Sequence, residues 1–140
     1  NGYILLGFFS IIGLLIGGPL IDKLDTKKTA ITVLLPLSLS VIVLLLFDSV
    51  FFLIIYMSLY GFNMGISTPF IGSLWAEVYG VKSLGTVKAL LHAGAVFASA
   101  LSPLVFGYII DWGYGITEIA IISLLIIIVS TLLPIYNKLP

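Results

Sequence analysis

The chain has no cysteine and very little charge, and both absences narrow its class. Without cysteine it can hold no disulfide, thiolate metal site or cysteine nucleophile. Charged residues make up 9% of the chain, hydrophobic residues make up 61%, and the mean hydropathy is +1.29. An ordinary soluble domain has about 25% charged residues. The composition therefore argues against a water-soluble fold.

Other absences limit the chemistry. No glycine-rich loop ends in Lys-Ser or Lys-Thr, so we expect no ATP-driven machinery. No His, Asp or Glu cluster has metal-ligand spacing, and we expect neither a metal nor a cofactor. The middle of every apolar run lacks charge, which predicts no buried carboxylate for proton coupling and no cation for an anionic substrate. We predict no catalytic residues, no enzymatic activity and no nucleic-acid partner.

What the chain does contain is five uncharged apolar runs, at residues 1–21, 29–47, 49–76, 89–110 and 119–137. Roughly 20 apolar residues in a helix cross the hydrocarbon core once. The runs therefore predict an all-α membrane protein with five transmembrane helices. The predicted helices cover about 1–21, 29–47, 50–75, 84–110 and 117–136, in a single transmembrane domain over residues 1–140.

All basic residues are lysines, and they gather at alternate loops. They lie in or beside the first loop, the third loop and the C-terminal tail: Lys23, Lys27, Lys28, Lys82, Lys88 and Lys138. Loops with excess lysine face the cytoplasm. The pattern predicts an integral protein of the cell (inner) membrane, with its N-terminus outside and its C-terminus inside. The odd helix number and the first residue, Asn1, further predict a fragment of a longer protein.

The first lysine-bearing loop carries the most specific motif, formed by Gly18, Asp22, Lys23, Lys27 and Lys28. Asp22 stands at a helix C-terminus, where the helix dipole disfavours negative charge. It therefore needs a partner, either Lys23 or the N–H groups that begin a neighbouring helix. Either pairing would make Asp22 a latch that acts in gating.

This motif resembles the signature of the major facilitator superfamily, in which Gly, three residues, Asp and a basic residue precede a Gly and two basic residues. Asp25 stands where that family usually has the second glycine. The likeness continues downstream, at Trp75 to Gly80, Lys82, Gly85, Pro103, Gly107 and Asp111. The resemblance implies a partial major-facilitator-type bundle, similar to helices eight to twelve of twelve, whose missing N-terminal half is a partner.

A polar stripe on the third run is the candidate substrate site. Tyr56, Tyr60, Asn63 and Ser67 fall on one helical face. The resemblance implies that this helix lines the central cavity. The stripe is then a substrate-binding wall of hydroxyl and amide groups. The alternative is that these polar side chains only form hydrogen bonds that join neighbouring helices.

Two further groups have open roles. His92 is the one histidine of the chain, and it is either a proton or ligand contact or a residue hydrogen-bonded to a neighbouring helix. Glu77 is expected to pair with Lys82 or Lys88, or to remain solvated.

Small residues predict where helices approach closely: Gly13 and Gly17, Gly61 and Gly65, then Gly85, Ala89 and Ala93. The alternative is that small residues are simply common in membrane helices. The fourth run has almost no bulky residues in its middle, which predicts a helix surrounded by protein. The fifth, rich in Ile and Leu, is predicted to face lipid.

Together these features predict secondary active or facilitative transport of a small solute by alternating access. The partners would be a small-molecule substrate and membrane lipid. The alternative is a non-transporting membrane interaction or scaffold module.

Overall fold

The computed structural model describes residues 2–24, 26–47 and 49–136, and all side chains in these ranges other than those of residues 26, 27 and 134–136. These residues form five helices: α1 (Gly2–Ile21), α2 (Thr26–Leu46), α3 (Val50–Tyr79), α4 (Leu84–Asp111) and α5 (Ile116–Tyr136). Each of the five is long and apolar enough to cross a membrane. The predicted all-α fold with five transmembrane helices is confirmed.

Two helices extend at least three residues beyond their predicted bounds. α2 begins at Thr26 instead of residue 29, and α3 continues to Tyr79 instead of residue 75. An apolar run marks the length that lies in hydrocarbon, whereas backbone hydrogen bonds continue into the interface. Four positions on which predictions rest lie outside the described residues: Asn1, Asp25, Lys138 and the side chain of Lys27.

Local signals explain where α3 and α5 begin and where α3 ends. The Ser49 hydroxyl accepts a hydrogen bond from the Phe51 N–H at 3.3 Å, which caps the start of α3. α3 stops at Gly80, whose φ of 74° suits a residue without a Cβ. At the start of α5, the Glu118 carboxylate accepts from the Gly115 N–H at 2.7 Å, as the acidic member of a capping box does.

α1 and α3 pack along each other through glycines. A Cβ on Gly13 would overlap the carbonyl oxygen of Phe62, and a Cβ on Gly65 would overlap that of Ser10. Gly61 meets α1 backbone in the same way, and a Cβ on Gly17 would lie 3.1 Å from the Ile66 Cα. Backbone contact of this kind is how small residues join helices in lipid. The predicted close approach at these two glycine pairs is confirmed.

Most of the buried apolar side chains belong to α2. The buried apolar residues are few: Ala30, Val33 and Val41 on α2, Ile66 on α3 and Ala120 on α5. α2 packs against both α3 and α5. α1, α2, α3 and α5 therefore form one packed group. α5 otherwise exposes large apolar side chains from Ile121 to Leu133, as predicted for a helix facing lipid.

α4 stands apart from this group. It touches α3 only along a short stretch, and none of its residues is buried. A Cβ on Gly85 or Gly94 would meet nothing within 4 Å. The close packing predicted at Gly85, Ala89 and Ala93 is therefore absent within the part of the chain that the structure describes, and a protein surrounding for α4 stays a prediction. Small side chains permit a close neighbour, but a neighbour must also be present.

Candidate functional site

The tyrosines of the predicted polar stripe are half-buried on α3. The rings of Tyr56 and Tyr60 stack with their centroids 5.9 Å apart. Neither hydroxyl forms a hydrogen bond with another residue that the structure describes. Ser67 differs, because its hydroxyl donates to the Asn63 carbonyl oxygen of the same helix at 2.7 Å. The tyrosine hydroxyls are therefore the stripe groups that remain open to a further partner.

Asn63 points to a neighbouring helix. Its side chain is 7% exposed, and its Nδ2 donates to the Val33 carbonyl oxygen of α2 at 2.5 Å. Val33 lies in the turn before Pro36, where the proline lacks an N–H and loosens the helix. The bond therefore joins α3 to α2 at a turn that lacks one backbone hydrogen bond. Polar side chains between membrane helices commonly form such interhelical hydrogen bonds. A substrate contact of Asn63 stays a prediction.

His92 lies in a cleft between α3 and α4. The cleft has a volume of about 510 Å³ and is lined by Thr68, Ile71, Gly72, Trp75, Lys88, Leu91, His92 and Ala95. None of the four stripe residues lines this cleft. The structure does not bring His92 and the predicted stripe into one site.

Lys88 in this cleft is a residue that the sequence analysis missed. Lys88 lies inside the predicted fourth helix, about 84–110, but it was interpreted only as a charge beside a loop and as a candidate partner of Glu77. α4 begins at Leu84, which places Lys88 and His92 one turn apart on the same helical face. The expectation that this segment supplies no cation to an anionic substrate stays a prediction, since Lys88 is exposed and lies only four residues after the start of α4. The spacing of four residues was the signal that could have found the pair.

The loop motif begins as the last turn of α1. The Asp22 N–H donates to the Gly18 carbonyl oxygen at 3.2 Å, so the spacing of these two residues is that of a closing helical turn. Asp22, Lys23 and Lys28 are exposed, and the side chain of Lys27 is outside those described.

The motif meets the end of α3. Asp22 lines a cleft of about 190 Å³ with Thr29 of α2 and with Ser73 and Glu77 of α3. The sequence predicted a latch for Asp22 and a lysine partner for Glu77, but it did not predict that the two carboxylates share a cleft. Lys88 is instead in the cleft on the α4 side of α3. The motif therefore stands where α1, α2 and α3 come together.

Among the described residues, no three His, Asp or Glu side chains lie close enough to hold a metal ion. The family comparison decides what kind of membrane protein this is: the sequence model of the Major Facilitator Superfamily matches residues 2–139. The chain belongs to the Major Facilitator Superfamily.

This major facilitator chain matched no curated protein and no solved structure in the comparisons. Proteins of the superfamily are transporters and not enzymes, so transport is its function in general terms. The apolar helices and the family together make it an integral membrane protein.

Proposed function

We propose that this chain is part of the C-terminal half of a transporter, corresponding to helices eight to twelve, and that it moves a small solute by alternating access. α1, α2, α3 and α5 would move as one body against the missing half, around a site near the midplane. The glycine contacts between α1 and α3 support this, because backbone-to-backbone packing resists deformation inside the body.

The exposure of α4 carries the proposal. Its middle bears small and hydroxyl residues that are exposed in this chain: Gly94, Ala95, Ala98, Ser99 and Ala100. A surface of this kind gains little from lipid and much from another helix at close range. We infer that helices absent from this sequence cover it, and that the surface takes part when the two halves rock.

Uptake by the full-length protein in proteoliposomes tests this inference. Ala98→Leu adds bulk to the exposed α4 surface and is expected to lower the rate of uptake at least tenfold, with little change in thermal stability. Ile126→Phe adds bulk on α5, where Ile126 is 61% exposed, and serves as the matched control because lipid can adapt to it. Equal uptake by both variants would argue against a protein-covered α4.

The substrate site is proposed to include the stripe of Tyr56, Tyr60, Asn63 and Ser67, with the two tyrosine hydroxyls as its main contacts. Their lack of other hydrogen bonds among the described residues supports this role. Tyr60→Phe removes one hydroxyl and is expected to weaken the apparent affinity for the solute about tenfold, the usual range for a lost polar contact. Ser58→Ala is the control, because its hydroxyl already bonds to Ile54 of the same helix at 2.8 Å.

A second candidate function is a non-transporting interaction module. The bond from Asn63 to α2 favours it, because it assigns one stripe residue to helix joining. Unchanged substrate affinity in both Tyr60→Phe and Asn63→Ala would end the binding-wall hypothesis. Absence of uptake for every solute tried, with the protein folded, would favour the module.

The proposed orientation places the loops at 22–25 and 80–83 in the cytoplasm of the cell (inner) membrane, with the N-terminal end of this segment outside. The lysine distribution supports it. In a cysteine-free background of the full-length protein, Lys23→Cys and Gly113→Cys should react with an impermeant maleimide from opposite sides. Reaction of both from one side would reject this topology.

A further inference from the structure

The cleft between α3 and α4 has the features of a ligand site that is separate from the polar stripe. It is large enough for a small organic molecule, at about 510 Å³. Two hydrogen-bond donors, Lys88 and His92, stand on one side of it. Apolar side chains and the Trp75 ring supply most of the remaining lining. A few polar groups in an otherwise apolar cavity are typical of sites that orient one end of a ligand.

Lys88 is directed into this cleft. Its Nζ lies 3.7 Å from the position that a Cβ on Gly72 would occupy, so the ammonium group sits over a glycine of the opposite helix. Gly72 is seven residues before the end of α3, about 10 Å along the axis by the standard rise. The ammonium group is therefore inside the helical hairpin, and not turned out past its end as a snorkelling lysine would be.

The charge at this position has no counterpart in the described structure. No carboxylate lines the cleft among the described residues, and Glu77 lines the other cleft with Asp22. Lys88 and His92 are both exposed in this chain, so the ammonium group is open to an anion and can form a charge-assisted hydrogen bond with it. His92, one turn further along α4, offers an N–H to the same anion in either of its protonation states.

We propose that this cleft binds an amphipathic anion, with its carboxylate or phosphate between Lys88 and His92 and its apolar part against Ile71, Trp75 and Leu91. The anion could be a soluble organic acid or the headgroup of an anionic lipid. Both share the same chemistry at this site. The inference goes beyond transport, since the cleft would bind the anion whether or not the protein moves a solute.

The test uses the full-length protein in nanodiscs, in a background where Trp75 is the only tryptophan. In phosphatidylcholine, decanoate or decyl phosphate is expected to change the Trp75 emission in a saturable manner, and the neutral decanol is not. Lys88→Gln and His92→Gln should each weaken decanoate binding about tenfold, the range for one charge-assisted hydrogen bond. Lys88→Arg should keep most of the affinity because it keeps the charge.

Lys82→Gln is the matched control, because it removes the same charge from the nearby loop without lining the cleft. Phosphatidylglycerol nanodiscs separate the two sources of anion. If the lipid headgroup occupies the site, decanoate binding weakens there. If the ligand is a soluble acid, the affinity is the same in both lipids. Each result supports the site.

Equal binding of decanol and decanoate would overturn the proposal, as would parental affinity in Lys88→Gln and His92→Gln together. Absence of a saturable response in both lipids would also overturn it, and would indicate that a protein segment fills the cleft. If Lys88→Gln does not fold, His92→Gln and Lys88→Arg decide alone. Binding without uptake would reject the transport proposal only, and uptake without binding would reject this one only.

Discussion

The two sides of α3 that face α1 and α4 are built in opposite ways. Toward α1, the glycines Gly61 and Gly65 bring backbone against backbone, with no room for a methyl group. Toward α4, Gly72 opens a cleft, and a Cβ there would come no closer than 3.7 Å to another atom, the Lys88 Nζ. A glycine on a membrane helix can thus serve close packing or an open cavity. Its effect depends on what lies opposite.

This contrast indicates that the two sides of α3 have different roles. The α1 side holds the body together through backbone contact at glycines. The α4 side leaves donors and apolar walls in contact with an open space. Substitutions on the packed side and on the open side of α3 are therefore expected to differ in their effects as much as the two sides differ in geometry.

The largest effect is expected for Gly65→Ala. The new methyl group would overlap the Ser10 carbonyl oxygen, and the α1 backbone must move to admit it. Overpacking of this kind costs about 1–3 kcal/mol of unfolding free energy. Gly94→Ala is the control, since a Cβ there meets nothing within 4 Å. Thermal unfolding of the full-length protein in detergent measures the stability of both variants. Similar unfolding midpoints would contradict the contrast between packed and open surfaces.

A slightly smaller effect is expected for Asn63→Ala. The change removes the hydrogen bond to the Val33 carbonyl oxygen and leaves a small cavity, with a loss of about 1–2 kcal/mol. Ser67→Ala is its control, because the Ser67 hydroxyl bonds only within its own helix at 2.7 Å. The same unfolding measurement applies. Equal losses in the two variants would mean that the bond between α3 and α2 contributes little.

The smallest effect on stability is expected for Gly72→Ala. Ordinary contact with a flexible lysine end is easily relieved, so the unfolding free energy should change by less than about 0.5 kcal/mol. The methyl group nevertheless occupies part of the cleft beside Lys88, and decanoate binding monitored by Trp75 emission should weaken. A large stability loss at Gly72 would show that this side of α3 is tightly packed after all.

Part of this arrangement was predictable. The spacing of the four stripe residues placed them on one face of α3, but it left open which neighbour that face meets. The structure turns Asn63 to α2 and leaves the tyrosine hydroxyls without partners among the described residues. Likewise, the glycine pairs indicated close approach, but the pairing of α1 with α3 depends on how the helices assemble. The place of Lys88 in the cleft was missed because its spacing from His92 does not show which neighbouring helix the two side chains face.

The sequence alone determined that this is an integral membrane protein, how many times the described chain can cross the membrane and which loops carry the lysines. These follow from the free energy of placing apolar or charged groups in hydrocarbon, which depends on each segment by itself. The tertiary structure decided which glycines touch, that Asp22 and Glu77 share one cleft and that Lys88 and His92 share another. Those outcomes depend on the rotation and pairing of helices, which contacts between distant segments set and no single segment encodes.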